Sequence, residues 1–354
     1  MAMPMKPPLS VLHVDEFFRI YQIGFVAVWP VLGLSSSHPW TPGAIVALVA
    51  ISAAFNIVGG VLNDICDIES DRLAPSRAQR WLVTGAVSTR AAAAVVAAQL
   101  PLMAVVHVAA GFNLSSLRWL AAAVAGEALY DLFGKKSRVP PVAEAGQALA
   151  AFALVCYGAT CLGGGLSALA WTTATAAAAM LLLANAFHGG LRDIRDDAGA
   201  RVRTTPLWFG CGFDAERVRI SAAMSAYAAS CLTVMMAASL AAAASGSAVV
   251  FALTGAETLG VVALFAVLHR LRGTAWEIGL RLHVTLLAIP MITAFSQLLG
   301  PARTALVGLI YITPALPLFA RRARQGLRAR AEPRMWSGPS GPSSSPDLKV
   351  RAAM

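Results

Sequence analysis

Charge is what this chain has least of: 13% of its 354 residues are Asp, Glu, Lys or Arg, while 57% are hydrophobic. A water-soluble domain carries about 25% charged residues, so a soluble fold is excluded and a polytopic membrane protein is expected. Cysteine is also scarce. Cys66, Cys156, Cys161, Cys211 and Cys231 form no C-x-x-C pair and no zinc set, which leaves no disulfide framework to read. Aromatic residues make up 8% of the chain and do not cluster around its polar motifs. Residues 1–12 are two short pieces interrupted by proline, without the apolar core of a signal peptide. No soluble-sized gap separates the hydrophobic runs. One helical membrane domain is therefore expected over 17–324, between a short segment 1–16 and a basic Ser/Gly/Pro-rich tail 325–354.

What the chain does have is positive charge, +10 net. A nucleic-acid partner is rejected, because Lys and Arg fall in short loops and in the tail, where topology signals lie. A window of about 20 residues finds ten candidate spans, at 17–36, 43–64, 89–110, 114–132, 143–163, 168–192, 217–242, 248–271, 279–299 and 303–320. Basic residues crowd the N-terminus, the even-numbered loops and the tail. Both termini and the even loops are thus expected on the cytoplasmic side. Alanine runs at 91–98, 121–126 and 174–179 suit helices that approach closely in a bilayer.

Six of the ten aspartates lie in two short segments, 64–71 and 193–197. Asp64, Asp67 and Asp71 are spaced i, i+3, i+7, which puts three carboxylates on one helix face, and Asn63 lies four residues before Asp67. Like charges so close raise each other's pKa unless a cation intervenes. A hard divalent metal such as Mg²⁺, sharing its shell with a substrate phosphate, is one reading; an acidic, solvated helix end is the other. The second cluster, Asp193, Asp196 and Asp197, follows the sixth span as the first follows the second, so both end on the same side. Ionisable residues at membrane depth mark function. Asn56 and Asn63 share one face of the second span, and Asn185, Arg192 and Asp196 repeat that pattern on the sixth. Two polar helix faces meeting across a central cavity are expected.

These residues resemble the UbiA superfamily of intramembrane prenyltransferases. Its first motif, N-D-x-x-D-x-x-x-D followed by arginines, is matched by Asn63, Asp64, Asp67 and Asp71, then Arg72, Arg77 and Arg80. Its second motif and the Thr-Pro segment after it are matched by Asp193, Asp196 and Asp197, then Thr204-Thr205-Pro206 and Gly210. Arg80-Trp81 stands where Arg-Pro is usual, and Ala200 where a last acid can occur. The resemblance implies an all-α bundle around a cavity, with a nine-helix core, and Mg²⁺ as cofactor held by Asn63, Asp64, Asp67, Asp71, Asp193, Asp196 and Asp197. It implies a prenyl diphosphate donor that ionises and a hydrophobic acceptor that captures the carbocation. Asn63, Arg72, Lys135, Lys136, Arg192 and Arg201 are the candidate diphosphate contacts, and Tyr130 is the candidate to shield the cation with its ring.

The acceptor is open at this level. His188, one turn before Asp193, is a candidate base or acceptor contact, with a buried hydrogen-bonded histidine as the other reading. Glu144, at membrane depth, is a second candidate. A membrane terpene cyclase would share the metal-triggered ionisation and capture the cation within the prenyl chain. A transporter would be expected to show repeats or helices broken at the midplane, and neither is seen in the sequence.

Overall fold

Apolar runs punctuated by Ser/Thr caps and prolines dictate the architecture. The computed structural model describes residue 14 and residues 17–74, 77–214, 217–313 and 316. Met1–Ala315 form one compact unit and Leu316–Met354 a second; the expected segments 1–16 and 325–354 lie almost wholly outside the described residues. The helices are α1 (Ile23–Ser35), α2 (Pro42–Cys66), α3 (Ile68–Leu73), α4 (Trp81–Thr84), α5 (Thr89–Ala109), α6 (Leu117–Phe133), α7 (Pro140–Thr160) and α8 (Ala168–Leu182). They continue as α9 (Gly190–Gly199), α10 (Thr205–Trp208), α11 (Ala222–Ala244), α12 (Ala248–Leu268), α13 (Gly273–Leu286), α14 (Ile289–Ala294) and α15 (Ser296–Ile312). A two-residue hairpin, β1 (Gly212–Phe213) with β2 (Val218–Arg219), pairs antiparallel before α11.

Several long helices begin the same way. Thr41, Ser88, Ser167, Ser221 and Ser247 sit at the N-caps of α2, α5, α8, α11 and α12, each in extended conformation and each accepting from a backbone N–H three residues on. That satisfies one orphan donor at each entry.

As far as the described residues reach, the ten apolar stretches read from the sequence fall on helices. Among the described residues, seven helical stretches are long and apolar enough to cross a membrane. The other three expected stretches, 17–36, 114–132 and 303–320, differ from these seven for local reasons. Segment α1 is short; α6 carries Arg118, Glu127 and Asp131; and α15 is kinked at Gly300, with φ 71°. Burial separates inner from outer helices. The apolar windows of α2 and α7 are each 67% buried, those of α5 and α12 only 17%. Helix α7 is the inner post, packed by α1, α6 and α8. Glycine allows these approaches. A Cβ on Gly158 would run into the Pro30 carbonyl, and Gly126 and Gly146 face each other's carbonyls across the α6–α7 crossing, the small-residue contact that drives helix packing in a bilayer.

Two irregularities aim the polar faces inward. Helix α2 passes into α3 at Asp67, whose N–H still bonds the Asn63 carbonyl at 2.9 Å while the Asp71 N–H bonds the Asp67 carbonyl at 2.8 Å. The helical spacing of the three acids therefore survives the junction. Between α8 and α9, Leu183–Gly189 form a π-helical turn, a wider winding found mostly at functional sites.

Candidate active site

The first acidic face is buried. Asp64 and Asp67 are each 7% exposed and Asp71 is 1% exposed. Buried carboxylates need partners, and one distant arginine, Arg19, and two from the following loop, Arg77 and Arg80, supply them. Arg19 Nη2 donates to Asp64 Oδ1 at 2.7 Å and to Asn63 Oδ1 at 2.8 Å. Arg80 Nη1 donates to Asp64 Oδ1 at 3.0 Å and to Asp71 Oδ2 at 2.6 Å. Arg77 Nη1 donates to Asp71 Oδ1 at 2.7 Å, while its Nη2 donates to Asp193 Oδ2 at 2.8 Å. One guanidinium thus joins the two acidic segments, Arg77 reaching an aspartate 116 residues further along the chain. Desolvation works against the charge on Arg77, but Asp193 and Asp71 outweigh it and its pKa is raised.

The second segment is more open. Arg192 holds Asp193 through a two-point fork, Nε to Oδ1 at 2.7 Å and Nη2 to Oδ2 at 2.9 Å, yet its side chain is 57% exposed. Asp197 is buried and Asp196 half-buried, and both have polar or electrostatic partners. At the other end, Asn63 Nδ2 donates to Asp131 Oδ1 at 3.3 Å. The result is one continuous network, Asp131–Asn63–Arg19–Asp64–Arg80–Asp71–Arg77–Asp193–Arg192, stitching α6, α2, α3 and α9 together.

Arg19 is itself held in place. Its backbone is left-handed, φ 48° and ψ 42°, an uncommon state for a non-glycine residue that the surroundings must impose. Asn56 Nδ2 imposes it by donating to the Phe18 carbonyl at 3.1 Å and the Arg19 carbonyl at 3.2 Å. Gly60 leaves the room: a Cβ there would meet Arg19 Cδ at 2.9 Å. Beneath Arg19 lies a cavity of about 120 Å³ lined by apolar Phe25, Trp29 and Phe55 and by polar Glu127, Gln147 and Asn185.

The structure sorts the remaining candidates from the sequence. Arg72 is exposed, and Arg77 and Arg80 take the positions beside the acids. Lys136 is exposed and Arg201 is exposed with φ 56°; Lys135 lies in the same short turn as Lys136, Gly134–Lys136. Tyr130 is half-buried near Gly134 and Gly146. Glu144 Oε1 accepts from Thr205 Oγ1 at 2.5 Å, so it tethers the Thr-Pro segment to α7 and does not line the cavity. His188 is bonded on both nitrogens, Nδ1 to the Leu183 carbonyl at 3.0 Å and Nε2 to His283 Nδ1 at 2.7 Å, and it also lies off the cavity wall. Sequence reasoning did not bring Arg19, Asp131 and Glu127 to this network and cavity wall. Asp131 follows Tyr130 directly and could have been found there. Arg19 reads as one more topology charge.

Among the described residues, no three acidic, His or Cys side chains already converge as a metal centre. The donor set nonetheless fits Mg²⁺: carboxylate oxygens from two helices, close enough for one guanidinium to bridge, are the hard ligands this ion takes in small number beside a phosphate.

Comparison with known proteins follows the same lines. The UbiA prenyltransferase family model matches residues 24–272. Among solved structures, an apo UbiA homolog from Aeropyrum pernix K1 is 20% identical with a TM-score of 0.57, covering 81% of this chain and 97% of that one. A UbiA homolog from Archaeoglobus fulgidus gives 18% identity and a TM-score of 0.58 over 81% of this chain and 99% of that one. Another structure from that organism, bound to GPP and Mg²⁺, gives 16% and 0.50 over 87% and 99%. At such identities the likeness is one of fold. No curated protein matches the chain. The family match spans most of the sequence and takes in both acidic segments, and the chain belongs to the UbiA prenyltransferase family.

Proposed function

We propose that this protein catalyses Mg²⁺-dependent transfer of a prenyl group from a prenyl diphosphate to a hydrophobic acceptor inside the membrane. The observation that carries the reading is the Arg77 bridge between Asp71 and Asp193. It brings both acidic faces to one point, and Arg19 links that point to the cavity below. Two solved structures of the same fold, each of a UbiA homolog from Archaeoglobus fulgidus, are described as bound to GPP or to DMAPP together with Mg²⁺.

In this reading Asn63, Asp64, Asp67 and Asp71 on one side and Asp193, Asp196 and Asp197 on the other hold the metal. Bound there, Mg²⁺ supplies charge neutralisation for the departing diphosphate. The chain's own cations do the rest of the anchoring. Arg77, Arg80 and Arg192 already point their donors at the acids, and a phosphate oxygen is an equivalent partner for a guanidinium fork. Lys135, Lys136, Arg72 and Arg201 are proposed to attract the diphosphate at longer range. Phe25, Trp29 and Phe55 give the prenyl tail an apolar wall, exclude water that would quench a carbocation, and offer ring faces to it; Tyr130 is proposed for the same shielding nearer the phosphate. The acidic loops are proposed to face the cytoplasm.

A terpene cyclase reading draws on the three aromatics in the cavity. Product analysis separates the two. Purified protein is given Mg²⁺ and prenyl diphosphates of several lengths, with and without a panel of hydroxylated acceptors, and Asp64→Ala/Asp193→Ala serves as control. Diphosphate release that requires an acceptor and yields a prenylated product is the expected result; release with a cyclic hydrocarbon and no acceptor would establish the cyclase.

A further inference from the structure

Asp131 belongs to neither acidic segment, yet the fold brings it to the first one. It lies on α6, it is buried, and its Oδ1 accepts from Asn63 Nδ2 at 3.3 Å. Among the described residues that is the one hydrogen bond its carboxyl receives, since Oδ2 is buried without a partner. A buried carboxyl held by a single long bond adds little to a fold and costs desolvation. Its use is better read from what it does to Asn63.

A side-chain amide can be turned either way, with oxygen and nitrogen exchanged. At Asn63 the partners decide. A guanidinium only donates, so the atom 2.8 Å from Arg19 Nη2 is the amide oxygen, and the nitrogen is left facing Asp131. The same Nη2 lies 2.7 Å from Asp64 Oδ1. One oxygen from Asn63 and one from Asp64 thus converge on a single point, as ligands of one cation do. A metal ion at that point competes with Arg19 for both oxygens. The Asp131 bond is made to the amide nitrogen and survives that exchange. Resting on the prenyl-transfer reading, we propose that Asp131 is a positioning residue for the metal site: it anchors the Asn63 nitrogen so that the Asn63 oxygen stays turned toward Asp64. What acts is the acceptor oxygen of Asp131 and not its charge. Charges do reach this carboxyl, from Glu127 one turn earlier on α6 and from Arg19 and Asp67, so the test separates the two effects.

The experiment uses the full chain in lipid nanodiscs, Mn²⁺ as a paramagnetic stand-in for Mg²⁺, and non-ionising prenyl thiodiphosphates of several lengths. Mn²⁺ affinity is read from the free-ion signal in electron paramagnetic resonance, so no turnover is needed. Wild type is measured first: if it binds no Mn²⁺ with any thiodiphosphate, the prenyl-transfer reading falls and takes this inference with it. Asp131→Leu removes the acceptor and should weaken Mn²⁺ about tenfold, the usual size of losing a group that orients a metal ligand. Asp131→Asn removes the charge but keeps an acceptor oxygen, and should stay within about threefold of wild type. In an Asn63→Ala background, itself weakened, Asp131→Leu should change the affinity by no more than about twofold, because the amide it acts through is gone. Equal loss in Asp131→Leu and Asp131→Asn would show an effect of charge and overturn the inference. So would an undiminished effect of Asp131→Leu in the Asn63→Ala background, or no effect of Asp131→Leu at all. If Asp131→Leu does not fold, Asp131→Ala takes its place with the same expectations and the same reversals.

Discussion

The two acidic segments carry the same residue type and meet at one arginine, but they are built differently. The first is enclosed: Asp71 is 1% exposed, and its partners Arg77 and Arg80 come from the loop that follows it, folded back over it. The second is more open: Asp193 has a side chain 24% exposed, and beside Arg77 its fork comes from the adjacent Arg192, itself 57% exposed. Enclosed ion pairs are strongly destabilising when one partner is removed, whereas exposed pairs contribute little. One cluster is therefore both scaffold and site, and the other is free to act as site alone.

The sharpest way to break this contrast is Asp71→Ala. It leaves the enclosed guanidinium of Arg77 and the half-buried one of Arg80 short of an anion, and should lower thermal stability by about 3 kcal/mol and abolish prenyl transfer, both read on purified protein. Asp193→Ala should abolish transfer equally yet cost less stability than Asp71→Ala, because Arg77 keeps Asp71 and the other partner, Arg192, is exposed to water; equal destabilisation by the two would erase the distinction. Next in size, Arg77→Leu should cut turnover about a hundredfold by uncoupling the clusters, with a loss of stability intermediate between the two acids. Asn56→Ala releases the left-handed backbone of Arg19 and should lower turnover about tenfold, near the cost of one hydrogen bond. Arg72→Ala, at an exposed position, should stay within about twofold in turnover and about 0.5 kcal/mol in stability.

How much of this is readable from the chain depends on range. The membrane helices follow from apolar runs, and the acid face follows from i, i+3, i+7 spacing, because both are local properties that survive even the α2–α3 junction. Asn56 was visible as a polar group on the right face, but its partner was not: its amide serves the backbone of Phe18 and Arg19, 38 and 37 residues away. Arg19, Arg77 and Arg80 look alike in sequence to Arg72, and only the return of the loop over the acids separates them. Glu127 and Glu144 each read as an acid within a membrane helix. Which one lines the cavity is decided by the close Gly126–Gly146 crossing and by Thr205 holding Glu144, neither of which has a sequence signature.

The π-helical turn at Leu183–Gly189 bears on one more property, the phase of everything after it. An α-helix advances about 100° per residue, so the direction in which Asp193, Asp196 and Asp197 point depends on how many residues wind through that turn as well as on which residues they are. Because a π turn spreads its winding over more residues than an α turn, deleting one residue there and letting the segment relax to an ordinary helix would leave the downstream acids close to their present phase. Deleting one residue from the regular α-helix beside it would instead turn them by about 100°. The second acidic motif is thus read by residue count, and this short turn is the place where the count can change with least effect on it.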